Sequence, residues 1–241
     1  MSQLTGDPVS CGQALYTSSA TRIHSLGERL VTANGNVYRY CKAGAVALVA
    51  GNWIQSPAQI ADHQNITVAA AAINATSITV TVAGTAVTEN QYAGGQAVVT
   101  IAPGLGQQIN ISGHPAADAS TAVVLQLDEP LRVALTTDTR IDLVPNLYNG
   151  VIQNPVTTLT GVCVGVATYI IAASEFGWLQ RSGLTGALIA GTPGVGLAIV
   201  VPGTAAGAAV IDGAASATNV VGTMASTGGN GECNGVMVAL E

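Results

Sequence analysis

Lysine is nearly missing. Lys42 stands alone in 241 residues, and with the arginines it makes 7 basic groups against 13 acidic ones, a formal net charge of −6. Phosphate neutralisation needs a basic surface, so this balance excludes nucleic acid as a partner. It also removes the cationic face with which a helix lies on a membrane. Charged residues of both signs reach only 8%, about a third of the roughly 25% usual in soluble domains. Aromatics are as thin, at one Phe, two Trp and six Tyr. The cysteines, at 11, 41, 163 and 233, form no CxxC and have no close His, which is poor spacing for zinc. They are expected as isolated reduced thiols, with Cys11–Cys41 the first pairing to test.

Long unbroken apolar runs are missing too. Hydrophobic residues make up 49% of the chain, yet the longest charge-free tracts, 143–174 and 182–211, are cut by Pro145, Pro155, Pro193, Pro202 and many Gly. A spanning helix needs about 20 consecutive apolar residues. The opening MSQLTGDPVS has neither the basic nor the apolar region of a signal peptide. The expectation is a soluble, non-secreted chain with no membrane partner.

Catalytic machinery is not visible. His24, His63 and His114 are far apart and match no metal-ligand spacing. Ser182 is not in a G-x-S-x-G elbow. Gly104-Leu105-Gly106 and Gly194-Val195-Gly196 do not extend to a dinucleotide loop, and no Walker lysine exists. Asp128-Glu129 reads as a solvated corner rather than a calcium loop, and Asp138 and Asp142 fall on one turn instead of across a cleft. Without a nucleophile, acid–base pair or metal set, the chain reads as a non-enzyme with no cofactor and no metal.

What is present is β-structure. Ile78, Val80 and Val82 alternate with Thr79 and Thr81, the period of a half-buried strand. Asn34-Gly35 signals a type I′ hairpin between GERLVTA and VYRYCKA. Further strands are expected at Gln96–Ile101 and Gln107–Ile111. GVCVGVATYIIAA reads as a long apolar strand, GWLQRSG as a turn after it, and NVVGTMAST with NGVMVALE as a closing hairpin. No 3.6-residue stripe runs beyond about three turns, although the Ala-rich runs 69–75 and 205–216 leave room for short helices. The fold class is all-β, with sandwich or barrel-like units of short strands and little helix. The chain divides into an N-terminal arm and hairpin (1–55), a β domain (56–150) and a C-terminal β domain (151–241).

Low charge with abundant Ala, Val, Gly and Thr suits contact with other protein, because obligate interfaces are depleted in charge. Lysine is also a common guard of exposed strand edges. With one Lys, the edges are expected to be covered by neighbours in an assembly. The alternative is a monomer with a Ser, Thr, Asn and Gln surface.

The segment YIIAASEFGWLQRSG, then ALIAGTPGVGLAIVVPGTAAGAAV, then VVGTMAST and NGVMVALE resembles tailed-phage head decoration, or cement, proteins. The matching positions are Trp178, Gln180 and Gly183, then Gly196-Leu197, then Val221 to Met224, then Val236 to Leu240. Gly222-Thr223 departs mildly from the Gly-x-Ala of that pattern. LGERLVTANGNVYRYCKAGAVALVAGNWIQ also resembles the opening of such virion proteins. The resemblance implies a structural role: binding major capsid protein on the outside of an icosahedral shell and reinforcing it, often as a homotrimer.

On that reading the candidate contact residues are Trp178, Gln180 and Arg181. Trp178 either plugs the end of the core, worth about 3–5 kcal/mol, or forms an interface hot spot. Arg181 is expected to face outward, free to pair with a neighbour's carboxylate. Residues 1–30 are expected to form an arm that orders on binding, and Arg22, Arg29 and Trp53 are its candidate contacts. The alternative is a virion fibre or host-surface protein that recognises glycan.

Overall fold

The computed structural model describes residues 12–156, 158–211 and 220–241. Cys11, and with it the Cys11–Cys41 pairing, lies outside them, as does the first part of the expected arm. The strands run β1 Arg29–Val31, β2 Val37–Ala43, β3 Trp53–Gln55, β4 Ile66–Val68, β5 Ser77–Thr81, β6 Gln96–Ile101, β7 Gln108–Gly113, β8 Ala122–Leu127 and β9 Arg140–Val144. They continue with β10 Asn149–Gln153, β11 Cys163–Ala167, β12 Phe176–Ala190, β13 Ala198–Val200, β14 Ala209–Ile211, β15 Val220–Met224 and β16 Glu232–Ala239. The fold is all-β. The described residues contain one 3-10 turn, Ala61–His63, and no helix long and apolar enough to cross a membrane. Residues 69–75 are not helical.

The three-part division becomes two compact units. One is 59–146. The other joins the segments before Gln59 and after Asn146, so the N-terminal hairpin and the C-terminal β region are a single body. The reason is strand pairing: β2 lies antiparallel against β12, with Tyr40 opposite Trp178.

The 59–146 unit is a closed antiparallel barrel in the order β4-β5-β8-β7-β6-β9. Alternation builds it. Ile78 and Val80 of β5 point inward opposite Leu125 and Val123 of β8, while Thr79 and Val124 face out. Ile141 and Leu143 of β9 complete the same core. Burying each such side chain is worth about 1.5–3 kcal/mol. Paired arches pack against this core. Ala71 and Leu135 exchange backbone hydrogen bonds of 3.0 and 2.8 Å, and Val87 and Ala117 do so at 2.8 and 2.9 Å.

The other unit contains two closed rings that share one strand. Going round the first, β2 pairs in parallel with β10, β10 with β3, β3 with β11, β11 with β12, and β12 with β2. Going round the second, β12 pairs in parallel with β14, β14 with β13, β13 with β15, β15 with β16, and β16 with β12. Numbered along the chain, both rings follow the order one, three, two, four, five, and in both only the one–three pair is parallel. The topology is therefore duplicated, with β12 as last strand of one copy and first of the next. The barrel is inserted between strands two and three of the first ring.

GWLQRSG is consequently not a turn. It is the first half of β12, up to the point where that strand passes from ring to ring. The turn-like Ser182-Gly183 is absorbed as a bulge: register against β2 shifts between Gln180 and Ser182, and Gly183 takes φ +98°. A bulge re-aims a strand without ending it. GVCVGVATYIIAA, read as one strand, is β11 followed by an arch, in which Leu48 and Ile171 exchange hydrogen bonds of 2.8 and 3.3 Å.

Ring closure also answers the shortage of lysine. A closed ring has no free edge, so among the described strands, apart from the short β1, the edges that were expected to need neighbours are paired within the chain. The hairpin at Asn34-Gly35 is present, but only Gly35 has positive φ. Gly35 N–H donates to Thr32 O and Thr32 N–H to Asn36 O, which makes it a three-residue loop with a glycine bulge and not a type I′ turn.

Candidate functional site

An aromatic cluster covers the outer face of the first ring where β2 meets β12. Trp178 is buried there with Tyr38, Tyr40, Leu15 and Leu30. The His24 ring lies 5.0 Å from both Trp178 and Tyr40, and Phe176 stacks on Tyr40 at 6.0 Å. The covering comes from residues 12–30. Tyr40 Oη donates to Gln13 Oε1 at 2.6 Å, and Gln13 Nε2 donates to the carbonyls of Thr17 and Phe176. Ser19 and Phe176 exchange backbone bonds of 3.0 and 2.8 Å. The described part of the expected arm is thus structural, ordered by burying Leu15 and Gln13 against this sheet.

The other named residues follow the same logic. Gln180 is buried, and its amide donates to Ser182 O and Leu184 O at 3.2 and 3.1 Å, pinning the bulge. Arg181 does not face outward as expected. Its guanidinium donates to Tyr148 Oη and Leu240 O, both at 2.7 Å, and lies over the Tyr148 ring. Trp53 is no arm contact either: it has no exposed surface and packs in the core of the second ring. The reason is that β3 is buried on both faces, Trp53 toward one ring and Ile54 toward the other. Arg22 and Arg29 are exposed. Arg22 donates to His24 O, and Arg29 lies 3.7 Å from Glu241, which also pairs with Arg39. The six residues do not converge on one surface.

Two features escaped the sequence reading. In the barrel, Tyr92 Oη donates to His63 Nδ1 at 2.5 Å while His63 Nε2 meets Thr85 O at 3.0 Å. His114 Nε2 accepts from Tyr92 N–H at 2.9 Å, and its Nδ1 meets Pro115 O at 2.9 Å. Every imidazole nitrogen of this buried trio is occupied, and burial pushes the Tyr92 phenol up to about 12. No group of three metal-ligating side chains occurs among the described residues. A cleft of about 760 Å³ with mixed lining lies elsewhere on the barrel, with Gln96, Gln107, Asn110, Glu129 and Arg132 beside Leu105, Ile109 and Val133, and no aromatic ring lines it. Arg132 pairs with Glu129 at 2.7 Å, so Glu129 of the Asp128-Glu129 corner has a local partner.

The second feature is the outer face of the β12–β16 ladder. Its facing pairs are Ser182–Ala239, Leu184–Met237, Gly186–Gly235 and Leu188–Cys233. None is charged. Leu184 is 56% exposed and Met237 46%. The signal was in NGVMVALE, where Met237 alternates with buried Val236 and Val238.

No family model matches this sequence, and neither a curated protein nor a solved structure matches it.

Proposed function

We propose that the chain is a structural protein that works by contact with other protein rather than by chemistry. More narrowly, it is a head decoration protein of a tailed phage, seated on the outside of the shell formed by the major capsid protein. The observation that carries this reading is the charge-poor second ring. From Ser182 to the C-terminus the sequence has no Lys, Arg or His, and only Asp212, Glu232 and Glu241 are acidic. That ring nevertheless exposes Leu184, Val195, Leu197, Val220 and Met237. Charge depletion of this kind suits a protein interface. The positions that resemble decoration proteins support it further, because Trp178 to Gly183, Gly196-Leu197, Val221–Met224 and Val236–Leu240 belong to the second ring and its shared strand.

Function then follows from linkage. A protein that binds the expanded shell better than the immature one shifts the equilibrium toward the expanded form by that affinity difference. Co-sedimentation with empty capsids of the phage that encodes it tests the reading. Binding at a fixed ratio to the major capsid protein is expected. Protein that stays in the supernatant at all concentrations overturns it and turns attention to host-surface glycans.

A further inference from the structure

We propose that the outer face of β12 pairs two copies of this chain about a two-fold axis, with Leu184 of each copy seated on Gly186 of the other. This rests on the structure of the ladder and not on the capsid reading.

The argument starts from a glycine without an internal cause. Gly186 is mid-strand, where glycine destabilises relative to alanine. Its φ is outside the left-handed region, and an added Cβ would meet nothing within 4 Å. Gly35, Gly106, Gly191, Gly196 and Gly231 have equal space, but each needs positive φ. Gly186 therefore stands apart among the glycines of the described strands: nothing among the described residues requires it. A glycine inside a strand commonly marks the place where something else approaches closely.

The surroundings say what approaches. Gly186 is part of the lining of a groove of about 440 Å³, together with Tyr16, Tyr38, Gln180 and Cys233. Beside it on the same face, two residues along and so about 6.8 Å away, is Leu184, 56% exposed and paired with exposed Met237. Knob and hole alternate on one strand. A two-fold axis lying in the interface plane over Thr185, perpendicular to the strand, lays each knob in the other copy's hole, the self-complementarity of an isologous interface. Charge points the same way. The chain carries −6, yet the eight ladder residues facing out are neutral, so two copies meet here without like-charge repulsion.

Sedimentation equilibrium of the full chain alone, beside the variant Gly186→Leu, tests this. The wild type is expected to be a dimer. The variant is expected to dissociate at least about tenfold more readily, because its new side chain occupies the seat of the partner's Leu184. The open space at Gly186 means that the variant should keep its β circular dichroism and a cooperative thermal melt. Leu184→Asp should also give monomer, by placing like charges together. A wild type that is monomeric throughout overturns the proposal, as does a dimer that Gly186→Leu leaves intact. A trimer would overturn the two-fold arrangement even if Gly186→Leu dissolved it.

Discussion

Arg181 and Leu240 bind each other in both directions. Leu240 N–H donates to Arg181 O at 3.1 Å, and Arg181 Nη2 donates back to Leu240 O at 2.7 Å. The last residues of the chain are thereby fastened to the middle of β12. Arg181→Ala removes this bond and the one to Tyr148, and hydrogen bonds from a charged group are worth about 1.5–3 kcal/mol each. A loss of about 2–4 kcal/mol in urea unfolding is expected. Arg181→Lys should rescue less than half, because an ammonium lacks the fork that reaches both acceptors. A loss below about 0.5 kcal/mol for the alanine variant would show that the latch is solvated.

Two glycines of β12 should respond to alanine with opposite signs. Gly183 has φ +98°, and an added Cβ would strike the Asn36 side chain, so Gly183→Ala should destabilise by more than about 1 kcal/mol. Gly186→Ala meets open space, and should be neutral or stabilise the monomer by up to about 1 kcal/mol. Thermal melts of both variants decide it; equal shifts would mean that the bulge is not where the structure puts it.

Stability should fall at alkaline pH. Burial raises the phenols of Tyr38 and Tyr92 from the ordinary 10.0 to about 12. With the folded value above the unfolded one, their contribution is complete below pH 10 and is lost as pH rises toward 12. Denaturation midpoints should therefore decline from about pH 10 upward, and the phenolate absorbance of these two residues should rise late or together with unfolding. A flat profile to pH 12 contradicts their burial.

Thiol chemistry gives the fourth test. Cys233 is exposed, whereas Cys41 and Cys163 are buried, and burial pushes the Cys163 thiol up to about 11 and Cys41 higher still. In a Cys11→Ser background, one thiol should react quickly with an aromatic disulfide reagent, and Cys233→Ser should abolish that phase. Two fast thiols in the folded variant would place one of the core cysteines wrongly.

Local rules made part of this legible. Ile78 and Val80 alternate with Thr79 as a half-buried strand must, and Val220–Met224 does form a hairpin with Glu232–Ala239. Partner choice was not legible, because period and turn chemistry describe a strand without saying what lies beside it. Tyr40 opposite Trp178 is a long-range pairing that no local pattern encodes. Ser182-Gly183 carries the chemistry of a turn, and only the pairing of β12 on both sides makes it a bulge. Of the six candidate contacts, Trp53 and Trp178 show the limit most clearly: large aromatics mark a place that must be buried or bound, and a sequence does not say which. The exposed Leu184–Met237 pair could be found only once the β12–β16 register was known.

The shared strand also sets an order for synthesis. The 59–146 barrel is contiguous, so it can close as soon as β9 has cleared the ribosome. The first ring cannot. Its strand β2 emerges early and must wait, through the whole barrel and β10 and β11, until the first half of β12 arrives. The nascent chain therefore carries a completed inner domain between two unfinished ends. When β12 appears, it finishes one ring and templates the next in a single stroke.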